Sequence, residues 1–556
     1  MQWTKKSNRQ KTSIFTSNGY SDTVILLPSR SYREVLTRML KALTIIAYLL
    51  LAACMMVGPD YKEPLKPIPE HWTKQDKTVN ETAFKNKKWW ETFHDSNLTS
   101  LINQGYQSNL SLQGMGVKVL QARAQLAQSV GQLYPQQQAV TGNYNYVRIG
   151  GSQFQSLLPT EFDTATLGFS ANWEIDFWGK YRRAIRSNDA TFLASIAAYD
   201  NALVTLTADI ASTYISYRTN EEQIKITKEN IALQRVSLKI AKSRFTAGQT
   251  SLLDVEQAQT ELSQTEARLP TLIAQAQRQK DALAVLLGLT PNAMDGLLQK
   301  KHGIPNAPSK VAVGIPVEAL AQRPDIHQAR LQAIAQSEAI GATKANLYPA
   351  LSLTGTFAFA ANTIAPSSIS DIFQWGNRSV LAGPGLNWPI LNYGQITNAV
   401  RVQDAVFQQA LLNYLNLVLK AQQEVQDAIT TYIEAQQSAQ FLLKANRSAI
   451  QSTHLAIIRY KEGENDYTTV LDAERQQLQV QTSLTKAQGE IPQALVALYR
   501  ALGGGWQIRK GNDIVPGQIK ATMAARTNWG GLLKQENHQP PDSEWTRIKQ
   551  LYLPNW

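Results

Sequence analysis

The chain has 556 residues, 43% hydrophobic and 18% charged, with 12 Trp and 20 Tyr, which excludes a disordered chain and allows several ordinary domains or one large duplicated one. Its net charge of +12 invites a nucleic-acid reading, but residues 1–53 hold eight Lys/Arg against two Asp/Glu, half of that excess. No basic stripe interleaved with aromatics follows, so no nucleic-acid partner is expected, and a single cysteine rules out both an internal disulfide and a cysteine-based metal site.

Near the N-terminus, Arg38 and Lys41 precede an apolar run from Ala42 to Ala53 that ends at Cys54. That run is shorter than the roughly 20 residues of a membrane-spanning helix and suits the core of a signal peptide. Leu51-Ala52-Ala53-Cys54 resembles a bacterial lipobox, which implies a covalent lipid (diacylglycerol and N-acyl) on Cys54 as the first mature residue. Met55, rather than Asp, in the next position implies sorting to the outer membrane. Met39 is a second candidate start, which would make residues 1–38 an extension.

Two alternating stretches follow. In "AVTGNYNYVRI", Val140, Tyr144 and Tyr146 oppose Thr141, Asn143 and Asn145; in "TATLGFSANWEIDFWG", seven apolar residues from Ala165 to Phe177 alternate with polar or small ones. Period two predicts strands with one apolar face, long enough for the 9–11 residues of a membrane-crossing strand. From Lys180 to Ala247 there is neither Gly nor Pro over 68 residues rich in helix formers, a helix of roughly 100 Å if continuous. Gly248 predicts a tight turn, and a second helix is expected over about Leu252–Leu269, giving an antiparallel coiled-coil hairpin.

The same elements then recur. "LSLTGTFAFAAN" (Leu351–Asn362) and "SVLAGPGLNWPILN" (Ser379–Asn392) are the next strands, the latter weakened by Pro384 and Pro389. Gln395–Glu462 is again 68 residues without Gly or Pro, Gly463 the turn, and Val470–Ala487 the returning helix. The register is 215 residues: Trp173, Gly179, Arg244, Gly248 and Leu287 fall on Trp388, Gly394, Arg459, Gly463 and Leu502. A register kept through strands, turns and helices means duplication of a whole unit. Trp173, Trp178, Trp388 and Tyr393 stand where an interfacial aromatic girdle would lie.

Four strands cannot close a barrel, and an open sheet edge does not survive in lipid, so a membrane reading requires association of chains. Two chains would give a bore filled by side chains, three a twelve-strand tube with a lumen, and the polar alternate face favours three. A soluble β-sandwich with one wet face is the alternative reading of the strands alone.

These pieces together resemble the outer-membrane factor family of TolC- and OprM-like exit ducts, in its lipoprotein, NodT-type branch. The likeness runs through Cys54–Pro64, "WWETFHDSNLTSLI" (Trp89–Ile102), "WEIDFWGKYRRAI" (Trp173–Ile185), both tip motifs, Gly314–Gly355, "LNWPILNYG" and "ALGGGW" (Ala501–Trp506). It implies an α+β membrane protein: a homotrimer with a 12-strand outer-membrane β-barrel, continued by a periplasmic α-helical barrel. The division that follows is 1–53, extension and lipoprotein signal peptide; 54–95, lipid-anchored segment; 96–289, first repeat; 290–316, equatorial linker; 317–506, second repeat; and 507–556, C-terminal tail. With the C-terminal segment, the linker is expected to build the belt around the tunnel. The implied function is a passive exit duct of a tripartite efflux pump exporting small molecules (drugs or toxic compounds). Its implied partners are outer-membrane lipid, a periplasmic adaptor (membrane fusion protein) and an inner-membrane pump of the resistance-nodulation-division (RND) type.

The resemblance also assigns the tips. A second-tip tyrosine and acidic residues hold the family's mouth shut and screen ions; Tyr460 and Asp472 match them, whereas Thr469 and Thr468 stand where members carry an aspartate and a gating leucine. The simpler account of Asp472 is a helix-first-turn carboxylate favoured by the macrodipole. Arg244, Gly248, Arg459, Gly463 and Glu464 are read as adaptor-docking and turn-forming residues, with solvated arginines as the simpler account of the two Arg.

No catalytic pattern stands out, so no enzyme and no cofactor beyond the lipid is expected. His71, His94, His302, His327, His454 and His538 are dispersed, no HExxH, Walker or GxSxG sequence occurs, and Gly179-Lys180 is followed by Tyr181. Two other functions share the hairpins: an exit duct of an ATP-driven protein secretion system, and a structural lipoprotein using the coiled coil as a stalk.

Overall fold

In the computed structural model of the chain, the described residues are 56–73, 76–82, 88–150, 159–298, 303–364, 368–535 and 551–554. Cys54, the signal segment before it, His302 and His538 lie outside them.

After a two-residue strand β1 (Val79–Asn80), helices α1 (Ser96–Ser108) and α2 (Leu110–Gly131) lead into strands β2 (Gln137–Arg148) and β3 (Glu161–Ile175). The long helix α3 (Lys180–Thr246) and its return partner α4 (Leu252–Leu286) complete the first repeat. Strand β4 (Val311–Ala312) and helices α5 (Pro316–Ala321) and α6 (Pro324–Lys344) open the second. It continues through β5 (Ala350–Asn362), β6 (Arg378–Asn387), α7 (Gln395–Glu462) and α8 (Tyr467–Ala501), and α9 (Gly517–Arg526) follows in the tail. Both repeats run strand, strand, helix of 67 or 68 residues, turn, helix of 35 residues.

The turns explain why the hairpins form where they do. Gly248 and Gly463 have φ of +72° and +87°, a left-handed conformation that a Cβ disfavours. Each amide donates to the carbonyl three residues back (Phe245, Tyr460), and the next amide donates to that of Arg244 or Arg459, satisfying carbonyls the helix end leaves open. The returning helices run further than sequence reasoning expects, to Leu286 and Ala501 instead of Leu269 and Ala487, passing through Pro270 and Pro492. A helix packed along its length against a longer partner tolerates an interior proline, a local loss of about 3 kcal/mol. At Gly489 a Cβ would lie 2.4 Å from Thr219 Oγ1, so the absence of a side chain lets α8 lie close against α3.

The four long strands make one antiparallel sheet in the order β2-β3-β5-β6, so the two repeats meet at β3–β5 in the middle. Strand β6 stops at Asn387, short of the expected Asn392. Pro384 sits inside it opposite Leu353, while Pro389, which has no amide to donate, falls beyond its end.

The main core gathers Trp89, Trp90, Phe93 and α1 with the N-terminal half of α3, the middle of α7 and the C-terminal end of α8, Trp89 stacking on Tyr499 at 5.3 Å. The described tail docks there: Arg509 pairs with Asp200, and Tyr134 Oη donates to the Tyr552 carbonyl at 2.9 Å. Residues 56–73 form a strap down the outside. Val57 donates to the Trp178 carbonyl, Arg183 bridges Asp60 and Glu338, Gln422 donates to the Pro67 carbonyl, and Trp72 Nε1 donates to that of Gly314. The parallel pairing of β1 with β4 ties the strap's end to the linker.

Candidate functional site at the hairpin tips and the sheet

Around the two glycine turns the hairpins are joined by a small separate core that includes Leu238, Val255, Leu262, Tyr460, Tyr467 and Val470. Tyr460 is 2% exposed and meets Tyr467 edge-on at 5.3 Å. Its hydroxyl donates to Asp254 Oδ2 at 3.0 Å, in the other hairpin, where Thr250 also donates to the same oxygen. Burial and that carboxylate push the Tyr460 hydroxyl up to about 12, so it keeps its proton and stays a donor. Arg244 crosses in the opposite direction, from the first hairpin to the second, its guanidinium carbon 4.7 Å from the Tyr460 ring centroid and its Nη1 donating to the Tyr460 carbonyl. A Cβ on Gly463 would come within 3.5 Å of that guanidinium.

The repeat is broken here for a reason. Arg459, the counterpart of Arg244, points into solvent and only grazes Glu464 at 4.0 Å. Asp254 occupies the first-repeat place of Thr469, so the carboxylate missing from the second tip is supplied by the first. Thr468, Thr469 and Asp472 are exposed together on one face of the first turns of α8, pointing away from the core that holds Tyr460.

At the sheet the register builds one continuous apolar row, Val140–Phe169–Phe357–Val380, across all four strands, every member exposed. The alternate face carries Gln137–Asn172–Thr354 and Ala139–Ser170–Thr356, with large apolar side chains at Leu381, opposite Thr356, and at the Val147–Phe162 pair. Paired residues share a face and alternate ones oppose it, so the period-two pattern becomes one greasy and one polar surface. Beneath it, Trp173 Nε1 donates to the Leu133 carbonyl and Trp388 Nε1 to that of Leu347, both at 3.1 Å, a bond repeated in each unit. Trp178 donates to the Pro349 carbonyl and stacks on Tyr348 at 4.7 Å; Tyr393, at a φ of +48°, is almost fully exposed. No described helix is long and apolar enough to cross a membrane.

A profile of the outer membrane efflux protein family matches residues 101–289 and 315–504. This chain belongs to the outer membrane efflux protein family. It is 28% identical over 487 residues to nodulation protein T of Rhizobium leguminosarum bv. viciae, covering 86% of this chain and 96% of that one. It is 26% identical over 473 residues to the cation efflux system protein CusC of Escherichia coli, covering 84% and 99%. Among solved structures, the outer-membrane channel OprN superposes with a TM-score of 0.75 at 28% identity, over 81% of this chain and 99% of that one. The Campylobacter jejuni outer membrane channel CmeC shares the fold at a TM-score of 0.76 and 20% identity.

As an outer-membrane efflux protein, the chain places its sheet in the bilayer and its hairpins outside it, and the expected fold and location hold. Of the tip residues singled out in the sequence, Arg244, Tyr460 and Gly463 come together, while Asp472, Thr468 and Thr469 share a separate exposed face. Sequence reasoning missed Asp254 and, further up, Ser237, Glu261 and Glu474. Asp254 carried a legible signal, an acid at the repeat position of Thr469; the other three read as ordinary coiled-coil polar residues.

Proposed function

We propose that three copies assemble into a passive exit duct, the outer-membrane part of a tripartite efflux machine. The observation that carries this is the sheet's two unpaired ends. Among the described residues, strands β2 and β6 each have one neighbour and leave a row of backbone groups open beneath an exposed apolar face. Such edges are untenable in lipid. Pairing β2 of one copy with β6 of the next closes the ring, and three sheets of four strands leave a lumen lined by the polar face.

In this assembly the first residues of the strap lie at the barrel's base, where a Cβ on Gly179 would meet Met56 at 2.5 Å. Acylation of Cys54 accords with a relative from Salmonella typhimurium that is named a probable outer membrane lipoprotein. The division into repeats at 96–289 and 317–506, flanking the 290–316 linker, serves this geometry, since three chains then present six hairpin tips. The exposed tip residues Arg459, Glu464 and Gly248 dock a periplasmic adaptor, which joins the duct to a proton-driven inner-membrane pump. Asp472, Thr468 and Thr469 ring the aperture, which the Tyr460–Asp254 and Arg244–Tyr460 contacts hold shut. Three Asp472 carboxylates around one axis favour cations. Trp173, Trp178, Trp388 and Tyr393 mark the inner interface. Relatives are named for cations, solvent and toluene, so small molecules as a class are the cargo.

The test is the mass and conductance of the purified, acylated protein in lipid, followed by in-cell cross-linking from a photoreactive residue replacing Glu464. A trimer that conducts and captures the adaptor of an RND pump supports the reading. A non-conducting monomer overturns it, and capture of a secretion adaptor moves the duct to protein export.

A further inference from the structure

Above the apolar tip core, the seam between the hairpins changes character. Glu474 of α8 is only 1% exposed, and Ser237 of α3 donates to its Oε1, while its Oε2 meets no hydrogen-bonding partner among the described residues. Gln234, one turn from Ser237 on the same face of α3, is buried with both amide atoms unpartnered. From α4 comes Glu261, buried and held by Arg475 Nε of α8 at 2.7 Å, with the unpartnered Thr265 hydroxyl one turn beyond it. Helix α7 contributes Thr453, which donates to the Ala473 carbonyl. A carboxyl group with an empty acceptor, facing a second carboxylate in a closed seam, is a costly thing to ionise.

We propose that Glu474 is a proton-operated latch between the hairpins, holding the tips together when it carries its proton and letting them part when it ionises.

The chemistry of the seam supports this. Burial first, with the nearby Glu261 adding to it and the Ser237 hydroxyl opposing, raises the Glu474 carboxyl to about 7. The remaining charged or titratable groups around the seam and the tip core below it are Arg475 and Tyr467 of α8, Asp254 of α4, Arg244 of α3 and Tyr460 of α7. Tyr467 is itself pushed upward by burial and by Glu474, so neither tyrosine titrates near neutrality. Parting the hairpins returns Glu474 to water and to the ordinary carboxylate range. A group that binds its proton more tightly when the tips are closed favours closure in acid. That advantage is complete below the ordinary value and fades as pH rises through about 7. The ratio of parted to closed tips then rises by a factor on the order of tens per chain between about pH 5 and about pH 8. The latch differs from the Asp472 face, which is exposed on the opposite side of the same helix.

The inference rests on the tips being the mouth of a duct, and the test separates the two. Spin labels on Gln249→Cys and Lys461→Cys, in acylated trimers containing a minority of labelled chains, report the distance between the hairpins of one chain whether or not current flows. Wild type is expected to show the longer distance increasingly above about pH 7. Glu474→Gln, neutral at every pH, stays short. Ser237→Ala keeps the carboxyl but removes the bond that favours its charge, so the midpoint moves upward. Should Glu474→Gln fail to assemble, this midpoint shift decides the matter, and an unmoved midpoint overturns the latch. So does a pH response kept intact in Glu474→Gln, or no response in wild type. A pH-dependent distance in a protein that never conducts upholds the latch and overturns the duct.

Discussion

Arg244 lies across the face of Tyr460, its guanidinium carbon 4.7 Å from the ring centroid, and donates to that residue's own carbonyl. The first hairpin thus grips the second at both side chain and backbone, while Asp254 receives the tyrosine hydroxyl from below.

Tyr460→Phe removes the donor to a charged acceptor and leaves the ring. A bond of that kind contributes about 1.5–3 kcal/mol, so the open fraction of the tips should rise roughly tenfold or more, read as basal single-channel conductance. Arg244→Ala should raise it as well, and the double variant should exceed neither single effect by their full sum, because both contacts belong to one network.

Val380→Lys places a cation in the apolar row shared with Phe169 and Phe357. It should cost about 2–4 kcal/mol of barrel stability if that row meets the bilayer midplane, seen as loss of heat-resistant oligomer on a gel. Thr356→Lys, on the opposite face, should assemble normally and lower cation selectivity in reversal-potential measurements.

Arg183→Ala strips the partner from Glu338, a nearly buried carboxylate on α6 held at 2.8 Å. Breaking a buried pair from one side costs about 3–5 kcal/mol, and the midpoint of thermal unfolding should fall accordingly. The companion contact to the exposed Asp60 adds little, so Asp60→Ala should be near neutral.

Gly58→Ala should peel the strap. Gly58 has φ of +105°, and a Cβ there would stand 2.4 Å from Gly341 Cα. Faster proteolytic cleavage within residues 60–73, with the hairpins still protected, is the expected result.

What the sequence determines by itself is whatever depends on local pattern. Period two in 137–148, 161–175 and 350–362 predicts strands, because a strand's faces are set by alternate residues whatever lies beside it. The Gly- and Pro-free runs ending at Gly248 and Gly463 gave hairpins, and the 215-residue register gave two of them. Even Trp173 and Trp388 could be placed at equivalent positions, although their shared use of the Leu133 and Leu347 carbonyls could not be foreseen. Only the tertiary structure decides the rest, because it turns on distances between residues remote in the chain. Pro270 and Pro492 disfavour a helix locally, yet α4 and α8 continue through them beside their longer partners. Arg244 and Arg459 are equal in the repeat, yet one is clamped on an aromatic ring and the other is left in water. Glu474 looks like any polar coiled-coil position, and only the approach of Ser237 and Glu261 from two other helices makes it a buried acid whose charge the fold resists.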